Sequence, residues 1–285
     1  MGFTTIISAW QGALKRLERG FGKNESRSLL GIVFEHFFKL DRVGLAINGT
    51  EVFSLDHLEK LQVVVDELLV GTPIQYLTGS AHFFGLEFFV DNRVLIPRPE
   101  TEELVQWIID DNLKTKDLNI LDIGTGSGCI AISLAASIGQ AQVEACDLSD
   151  DALIVAELNA KKNRANLRFF RLDILAEDLS NGPYDIIVSN PPYVTEKEKS
   201  LMQKNVLEHE PHTALFVHDN NPLLFYEAIA TKAFKALKPN GKLYLEINEN
   251  LGDKTVNCLQ KSGFTNIELR KDMREKDRMI KAINC

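Results

Sequence analysis

The chain has 285 residues, a formal net charge of −8, 45% hydrophobic and 25% charged residues, the balance of a folded globular enzyme and not of a disordered or fibrous chain. Its acidic balance weighs against non-specific association along a nucleic-acid backbone, which needs a basic surface. No apolar run reaches the roughly 18 residues of a spanning helix, and Met1-Gly2-Phe3 opens no charged-then-apolar leader, so a cytoplasmic chain without membrane association is expected.

Apolar residues at helical spacing mark three helices in the first 72 residues: Ile6, Ile7, Trp10, Leu14 and Leu17; then Leu29, Leu30, Val33, Phe34, Phe37 and Phe38; then Leu58, Leu61, Val65, Leu68 and Leu69. Gly20, Gly22, Gly44 and Gly49 punctuate them, and no strand signal intervenes. Residues 1–72 are thus expected to form a small helical bundle. Gly71-Thr72-Pro73 ends that pattern and opens a connector, residues 73–98. Within it the aromatic and branched stretch from Phe83 to Ile96, with Asp91-Asn92 in the turn, predicts a β-hairpin closed by Pro97 and Pro99. Thr101-Glu102-Glu103 then opens a helix with Leu104, Val105, Ile108 and Ile109 on one face, its early acids suiting the positive end of the dipole.

Residues 99–285 read as a third region. From residue 119 strands alternate with helices. The strand candidates are Ile120–Ile123, Val143–Asp147, Leu167–Arg171, Tyr184–Ser189 and Lys242–Ile247. The helix candidates are Cys129–Ser137, Asp150–Lys162 and Pro222–Leu237. Such alternation predicts an α/β fold with a mostly parallel sheet covered by helices on both faces. Two last strands, near Thr265–Leu269 and Arg278–Asn284, are expected to pair antiparallel at one edge. Cys129 and Cys146 fall in apolar runs as small buried hydrophobes. The four cysteines show no metal spacing. Glu208, His209 and His212 suggest a metal less well than they suggest polar loop residues before a helix, so no metal is expected.

Asp122-Ile123-Gly124-Thr125-Gly126-Ser127-Gly128 follows a strand and opens a helix. Its glycines permit a sharp turn and close ligand approach, and the helix start offers N–H groups to an anion. The spacing is GxGxG, not the GxGxxG of a dinucleotide site. Asp147 ends the next strand, where a carboxylate can accept from both hydroxyls of a ribose. Together these residues resemble the class I S-adenosylmethionine-dependent methyltransferases, with their Rossmann-like seven-stranded, mostly parallel sheet. The resemblance implies that Gly124, Thr125, Gly126, Ser127 and Gly128 pass along the methionine part of S-adenosyl-L-methionine and that Asp147 binds its ribose. It also implies that Asp122 faces its ammonium and that Asp173 and Ile174 flank its adenine, with a simple turn as the alternative for Asp173. The product would be S-adenosyl-L-homocysteine.

The buried strand Asp185–Ser189 runs into Asn190-Pro191-Pro192-Tyr193. In open α/β sheets, ligands bind beyond the carboxyl ends of strands, so Asn190 falls beside the cofactor. A methyl on a sulfonium is already activated, and the enzyme mainly has to place the nucleophile in line. A nitrogen whose lone pair is delocalised gains from donating both N–H bonds, one to the Asn190 side-chain carbonyl and one to the Pro191 main-chain carbonyl. The prolines, including Pro192, stiffen the turn, and Tyr193 can stack on the planar group. Catalysis and substrate binding are therefore assigned to Asn190, Pro191 and Tyr193, with Pro192 in support. An amide and an adenine amine fit this chemistry equally.

Two further stretches bear on that choice. One runs from Pro73-Ile74-Gln75-Tyr76-Leu77-Thr78-Gly79 through Phe83–Phe88 to Ile96-Pro97-Arg98-Pro99-Glu100-Thr101-Glu102. The other is Glu208-His209-Glu210-Pro211 with Ala214-Leu215. With the helical start and Asn190–Tyr193, they resemble the release-factor glutamine methyltransferases (PrmC/HemK type) over essentially the whole chain. This implies methylation of the side-chain amide of the glutamine in the Gly-Gly-Gln loop of peptide chain release factors, in the service of translation termination. It also implies that the N-terminal bundle recognises the release factor and that Arg98, Glu100 and Thr101 lie at the rim of the site. Salt-bridging and capping are the alternative roles for those three. The competing activity is methylation of an adenine amine in DNA or RNA. That activity would need a basic groove and a way to extract the base, and Arg164, Arg168 and Arg171 form the nearest basic cluster. No stable nucleic-acid partner is expected. A non-catalytic scaffold is a third reading, disfavoured by the intact glycine loop and Asn190.

Overall fold

The computed structural model describes residues 4–202 and 204–285. Met1, Gly2 and Phe3, on which the expectation of no leader rests, lie outside them. The chain divides into two compact units. One runs to Gly79 and takes in residues 204–209; the other comprises Ser80–Met202 and Glu210–Cys285.

The first unit is helical: α1 (Ile6–Leu17), α2 (Lys23–Phe38), α3 (Arg42–Asn48), α4 (Leu55–Leu69) and α5 (Ile74–Thr78). Oxygen side chains cap three of these helices. Thr5, Asp41 and Ser54 accept from the backbone N–H of Ser8, Gly44 and His57, satisfying donors that a helix start leaves unpaired. Leu17, Leu30, Val33, Phe34 and Val65 are buried at its centre, where Phe34 meets the rings of Trp10, Phe38 and Phe53. The buried face of α1 runs through Ile6, Ala9, Ala13 and Leu17, whereas Ile7 is exposed. Small alanines let neighbouring helices approach there. Two short helices, α3 and α5, were not anticipated, and the bundle holds one isolated bridge, Thr5 to Val52.

The second unit begins with β1 (Ala81–Phe83) and β2 (Leu86–Phe88), then α6 (Pro99–Asn112), β3 (Asn119–Ile123), α7 (Cys129–Ser137), β4 (Gln142–Asp147), α8 (Asp150–Lys162), β5 (Arg168–Arg171) and β6 (Tyr184–Ser189). A short strand β7 (Val194–Thr195) and a 3-10 turn (Glu196–Leu201) follow, before α9 (Lys204–His209) returns to the helical unit. The chain ends with α10 (His212–Leu215), β8 (Phe216–Val217), α11 (Leu224–Ala236), β9 (Leu237–Glu246), α12 (Gly252–Lys261), β10 (Thr265–Lys271) and β11 (Asp277–Ile283).

Seven strands form one sheet in the order β10-β11-β9-β6-β3-β4-β5. The five from β9 to β5 are mutually parallel, and β11 runs antiparallel to both β9 and β10. The expected antiparallel edge is present, with the last strand inserted inside it. Ile120, Ile187, Val188, Leu243 and Leu245 are fully buried, as a sheet covered on both faces requires. Leu121, Ile187 and Leu243 pack with Tyr226, Ile229 and Ala233 of α11 and Leu259 of α12. On α6, Trp107 sets its ring edge-on to Tyr244 of β9, with centroids 5.5 Å apart. Cys129 and Cys146 are buried as expected. Burial pushes the Cys129 thiol up to about 12 and the Cys146 thiol higher still.

The hairpin expected over Phe83–Ile96 is displaced. Strands β1 and β2 pair Ala81 with Phe88 across a two-residue turn at Phe84 and Gly85, both with positive φ (48° and 74°), the geometry that matches strand twist. Asp91 does make a turn, with its backbone carbonyl accepting from Val94 N–H and its carboxylate from Arg93 N–H. No strands flank it, because both backbone groups of Phe89 are bonded to the Asn159 side chain on α8. Helix α6 starts at Pro99 and not at Thr101, since proline is preorganised for a first helical position. Helix α12 was also unforeseen.

Candidate active site

Leu245, Ser189, Ile123, Cys146 and Phe170 lie side by side across β9, β6, β3, β4 and β5. One residue further along those strands stand Glu246, Asn190, Gly124, Asp147 and Arg171. Between β3 and β6 the direction of strand progression reverses, and such a switch point opens a crevice at the carboxyl edge. Both sequence-assigned motifs border that crevice. The Ser189 hydroxyl donates to the Ile123 carbonyl at 2.7 Å, tying the exit of β6 to the exit of β3.

Gly124, Gly126 and Gly128 all have positive φ (72°, 55° and 82°). The N–H groups of Gly124 and Thr125 both donate to the Cys146 carbonyl, which folds the loop over the end of β4. A side chain at Gly124 or Gly126 would meet nothing within 4 Å, whereas one at Gly128 would lie 2.9 Å from Ile132 Cδ1 and 3.2 Å from Ala156 Cβ. The first two glycines border open room and the third lets α7 pack on α8. Asn159 donates to the Ser127 carbonyl at 2.9 Å, holding the loop from α8.

Two acids serve this loop. Asp147 Oδ2 accepts from Gly126 N–H at 2.9 Å and Oδ1 from Ser149 N–H at 3.0 Å. Each oxygen keeps a lone pair for a ligand hydroxyl, and burial raises the carboxyl above its usual range. Asp122 is fully buried; its Oδ2 accepts from the Thr125 hydroxyl at 2.7 Å while Oδ1 has no partner. Burial lifts its carboxyl to about 7, with the nearby negative Asp147 adding to the rise. An unpartnered buried oxygen suits a cationic ligand group, and Asp147 suits a diol. Beyond β5, Asp173 Oδ1 accepts from Leu175 N–H, so this residue does shape a turn. The Ile174 side chain is buried, and its carbonyl takes the Lys232 ammonium at 2.6 Å.

On the other side of the crevice, Asn190 Nδ2 donates to the Thr101 hydroxyl oxygen at 3.3 Å. Thr101 in turn donates to Glu246 Oε2 at 2.7 Å, and the Tyr193 hydroxyl donates to Glu246 Oε1 at 2.9 Å. Thr101 and Glu246 are buried. Burial raises the Glu246 carboxyl, while the Thr101 and Tyr193 hydrogen bonds and the positive Arg278 oppose that rise. The Tyr193 phenol is pushed well up by burial and by the charge on Glu246. Asn248 donates to the Tyr193 carbonyl at 3.1 Å and to the Glu198 carboxylate. Pro191 is buried and Pro192 half-buried between these fixed points.

The three rim residues part company. Thr101 touches Asn190, whereas Arg98 pairs with the buried Glu210 at 2.6 Å and Glu100 faces Arg274 at 3.5 Å. Glu208 and His209 lie in α9 and His212 opens α10 directly after the extended Pro211, so they are helical and not loop residues. Among the described residues no three His, Cys, Asp or Glu side chains gather as a metal site would need. Arg168 and Arg171 pair with Glu144 and Asp150 at the surface. No helix among the described residues is long and apolar enough to cross a membrane. Sequence reasoning missed Glu246, Asn248 and Asn159. The signal for Glu246 was present: an acid inside the apolar run Leu243-Tyr244-Leu245-Glu246-Ile247 must have a buried partner.

Residues 103–215 match the methyltransferase small domain family, and residues 8–79 match the PrmC N-terminal domain family. A release factor glutamine methyltransferase from Flavobacterium psychrophilum is 50% identical over 266 residues, 92% of this chain and 93% of its own length. One of the same name from Bacteroides thetaiotaomicron is 41% identical, over 90% of this chain and 92% of its own. The crystal structure of a methyltransferase from Pyrococcus furiosus, 17% identical, shares the fold with a TM-score of 0.51 over 79% of this chain and 98% of that one.

Proposed function

The chain belongs to the release factor glutamine methyltransferase family, and from that membership we propose that it methylates the side-chain amide nitrogen of the Gly-Gly-Gln glutamine of release factors with S-adenosylmethionine. The residues at the loop fit that cofactor. Gly124 and Gly126 leave room along the methionine part, with Thr125, Ser127 and Gly128 completing the wall. Asp122, whose Oδ1 is unpartnered, would take the ammonium, Asp147 the ribose hydroxyls, and Asp173 with Ile174 the adenine. Bound there, the cofactor supplies a methyl on a sulfonium, activated for direct transfer to nitrogen.

The chain's own work is to hold that nitrogen in line. Asn190 Oδ1 accepts one N–H of the glutamine amide, and the Pro191 carbonyl accepts the other. With both N–H bonds directed away, the nitrogen lone pair is turned toward the methyl. Tyr193, held through Glu246 and Asn248, packs its ring on the planar amide. The methylated nitrogen, cationic and strongly acidic, would then lose one proton to solvent water, so it needs no ionised base beside it. The helical unit that ends at Gly79 recognises the release factor, leaving the α/β unit to cofactor and chemistry.

One observation carries this reading: the planar-nitrogen motif and the glycine loop leave adjacent strands in register, locked by the Ser189 bond to Ile123. Family membership favours an amide over adenine. The test is methyl transfer from labelled cofactor to purified release factor, beside DNA and RNA. Label enters the release factor and vanishes when the acceptor glutamine is replaced; label in adenine instead would sink the proposal.

A further inference from the structure

We propose that Glu246, acting through Thr101, is a positioning residue that decides which end of the Asn190 amide meets the substrate. The argument is one of proton direction and rests on the reading of Asn190 as the acceptor for the glutamine N–H. A side-chain amide has a donor end and an acceptor end of nearly equal size, and only its partners fix which way it points. A hydroxyl has one proton to give. Thr101 gives its proton to Glu246 Oε2, at 2.7 Å, so toward Asn190 the hydroxyl oxygen can only accept. The atom of Asn190 beside it is accordingly Nδ2, at 3.3 Å. Oδ1 is then the end left for the substrate.

With the amide reversed, an NH2 group would confront the NH2 of glutamine, donor against donor. Glu246 prevents this by accepting at both of its oxygens: it takes the Thr101 proton at Oε2 and the Tyr193 hydroxyl proton at Oε1. Two walls of the amide cradle are thus aligned by one buried group. A buried carboxylate is expensive to retain for stability alone, since an apolar residue of similar volume often serves as well or better. Here it sits at the end of β9, one residue past the row that also delivers Asn190 and Gly124.

Steady-state kinetics with release factor, alongside cofactor affinity, test the role. In Glu246→Gln one carboxylate oxygen becomes a donor and the direction of the relay is lost. Turnover should fall about 10- to 100-fold with cofactor Kd unchanged. Thr101→Val should show the same loss, and Thr101→Ser, which keeps the hydroxyl, should recover most of it. If Glu246→Gln does not fold, the Thr101 pair decides alone. In an Asn190→Ala background, Glu246→Gln should cost far less than in the wild type, because the amide it orients is gone and only the Tyr193 hydroxyl still depends on it. Wild-type turnover in Glu246→Gln, an equal fold-loss in both backgrounds, or a parallel loss of cofactor affinity would each overturn the positioning role. If Asn190→Ala itself turns over normally, the acceptor reading of the site fails instead.

Discussion

On the side of the crevice proposed for the cofactor the surface is mostly backbone. Gly124–Gly128 owe their shape to positive φ and to N–H bonds onto the end of β4, all set within a short stretch of chain. On the acceptor side the decisive group is a side-chain amide with two nearly equivalent orientations. It is fixed by Thr101 from α6 and Glu246 from β9, residues 89 and 56 positions away in sequence. A loop built from its own main chain carries its geometry with it, whereas an oriented side chain must borrow its geometry from elsewhere. The first half should therefore break by local strain and the second by loss of a remote partner without loss of fold.

The largest expected effect falls on the acceptor side. Asn190→Ala should lower turnover by about 1,000-fold, roughly 4 kcal/mol of transition-state stabilisation, while calorimetric cofactor affinity changes less than about threefold. A loss confined to cofactor binding would erase the contrast between the halves. Next come the glycines. Gly128→Ala combines a positive φ with a 2.9 Å approach to Ile132, and should cost about 3 kcal/mol in urea unfolding. Gly126→Ala, with open room about its Cβ, should cost about 1 kcal/mol of stability yet weaken the cofactor more than Gly128→Ala weakens it. The reverse ranking would mean that the room over Gly126 is not used.

A smaller effect concerns protons. Burial holds the folded Asp122 carboxyl up at about 7 against an ordinary 3.8. An acid raised in the folded state contributes stability below the unfolded value, and that contribution is lost as pH rises to about 7. If its ionised form meets the cofactor ammonium, binding selects that form and expels a proton. Affinity should then rise about fivefold from pH 6 to pH 7, with proton release seen as a dependence of binding enthalpy on buffer. A flat affinity would remove Asp122 from contact with the ammonium. Smallest is Ser189→Ala, which deletes the tie to Ile123 and should cost about 1 kcal/mol of stability. A larger fall in turnover than in cofactor affinity would show that this bond aligns the two halves.

Legibility followed range. Helices α7 and α8 fall where their apolar runs and caps put them, at Cys129–Ser137 and Asp150–Lys162, and β6 at Tyr184–Ser189. Their signals are contained in neighbouring residues. The hairpin misled because Asp91-Asn92 is a genuine turn, while the backbone of Phe89 is claimed by Asn159 some 70 residues on. Helix α12 was hidden by the polar residues of Gly252–Lys261, and its existence depends on packing Val256 and Leu259 against the unit's core.

From the sequence alone come the acidic α/β chain with a helical start, the glycine loop with Asp147 after the next strand, and the Asn190–Tyr193 motif for a planar nitrogen. These are written in local patterns of φ preference, apolar period and residue chemistry. The tertiary structure alone decided that β11 lies between β9 and β10, that Thr101 is bonded to Asn190 while Arg98 is spent on Glu210, and that Glu246 takes the Thr101 proton. Strand order and hydrogen-bond direction are set by which distant groups meet after burial, and spacing along the chain does not encode that meeting.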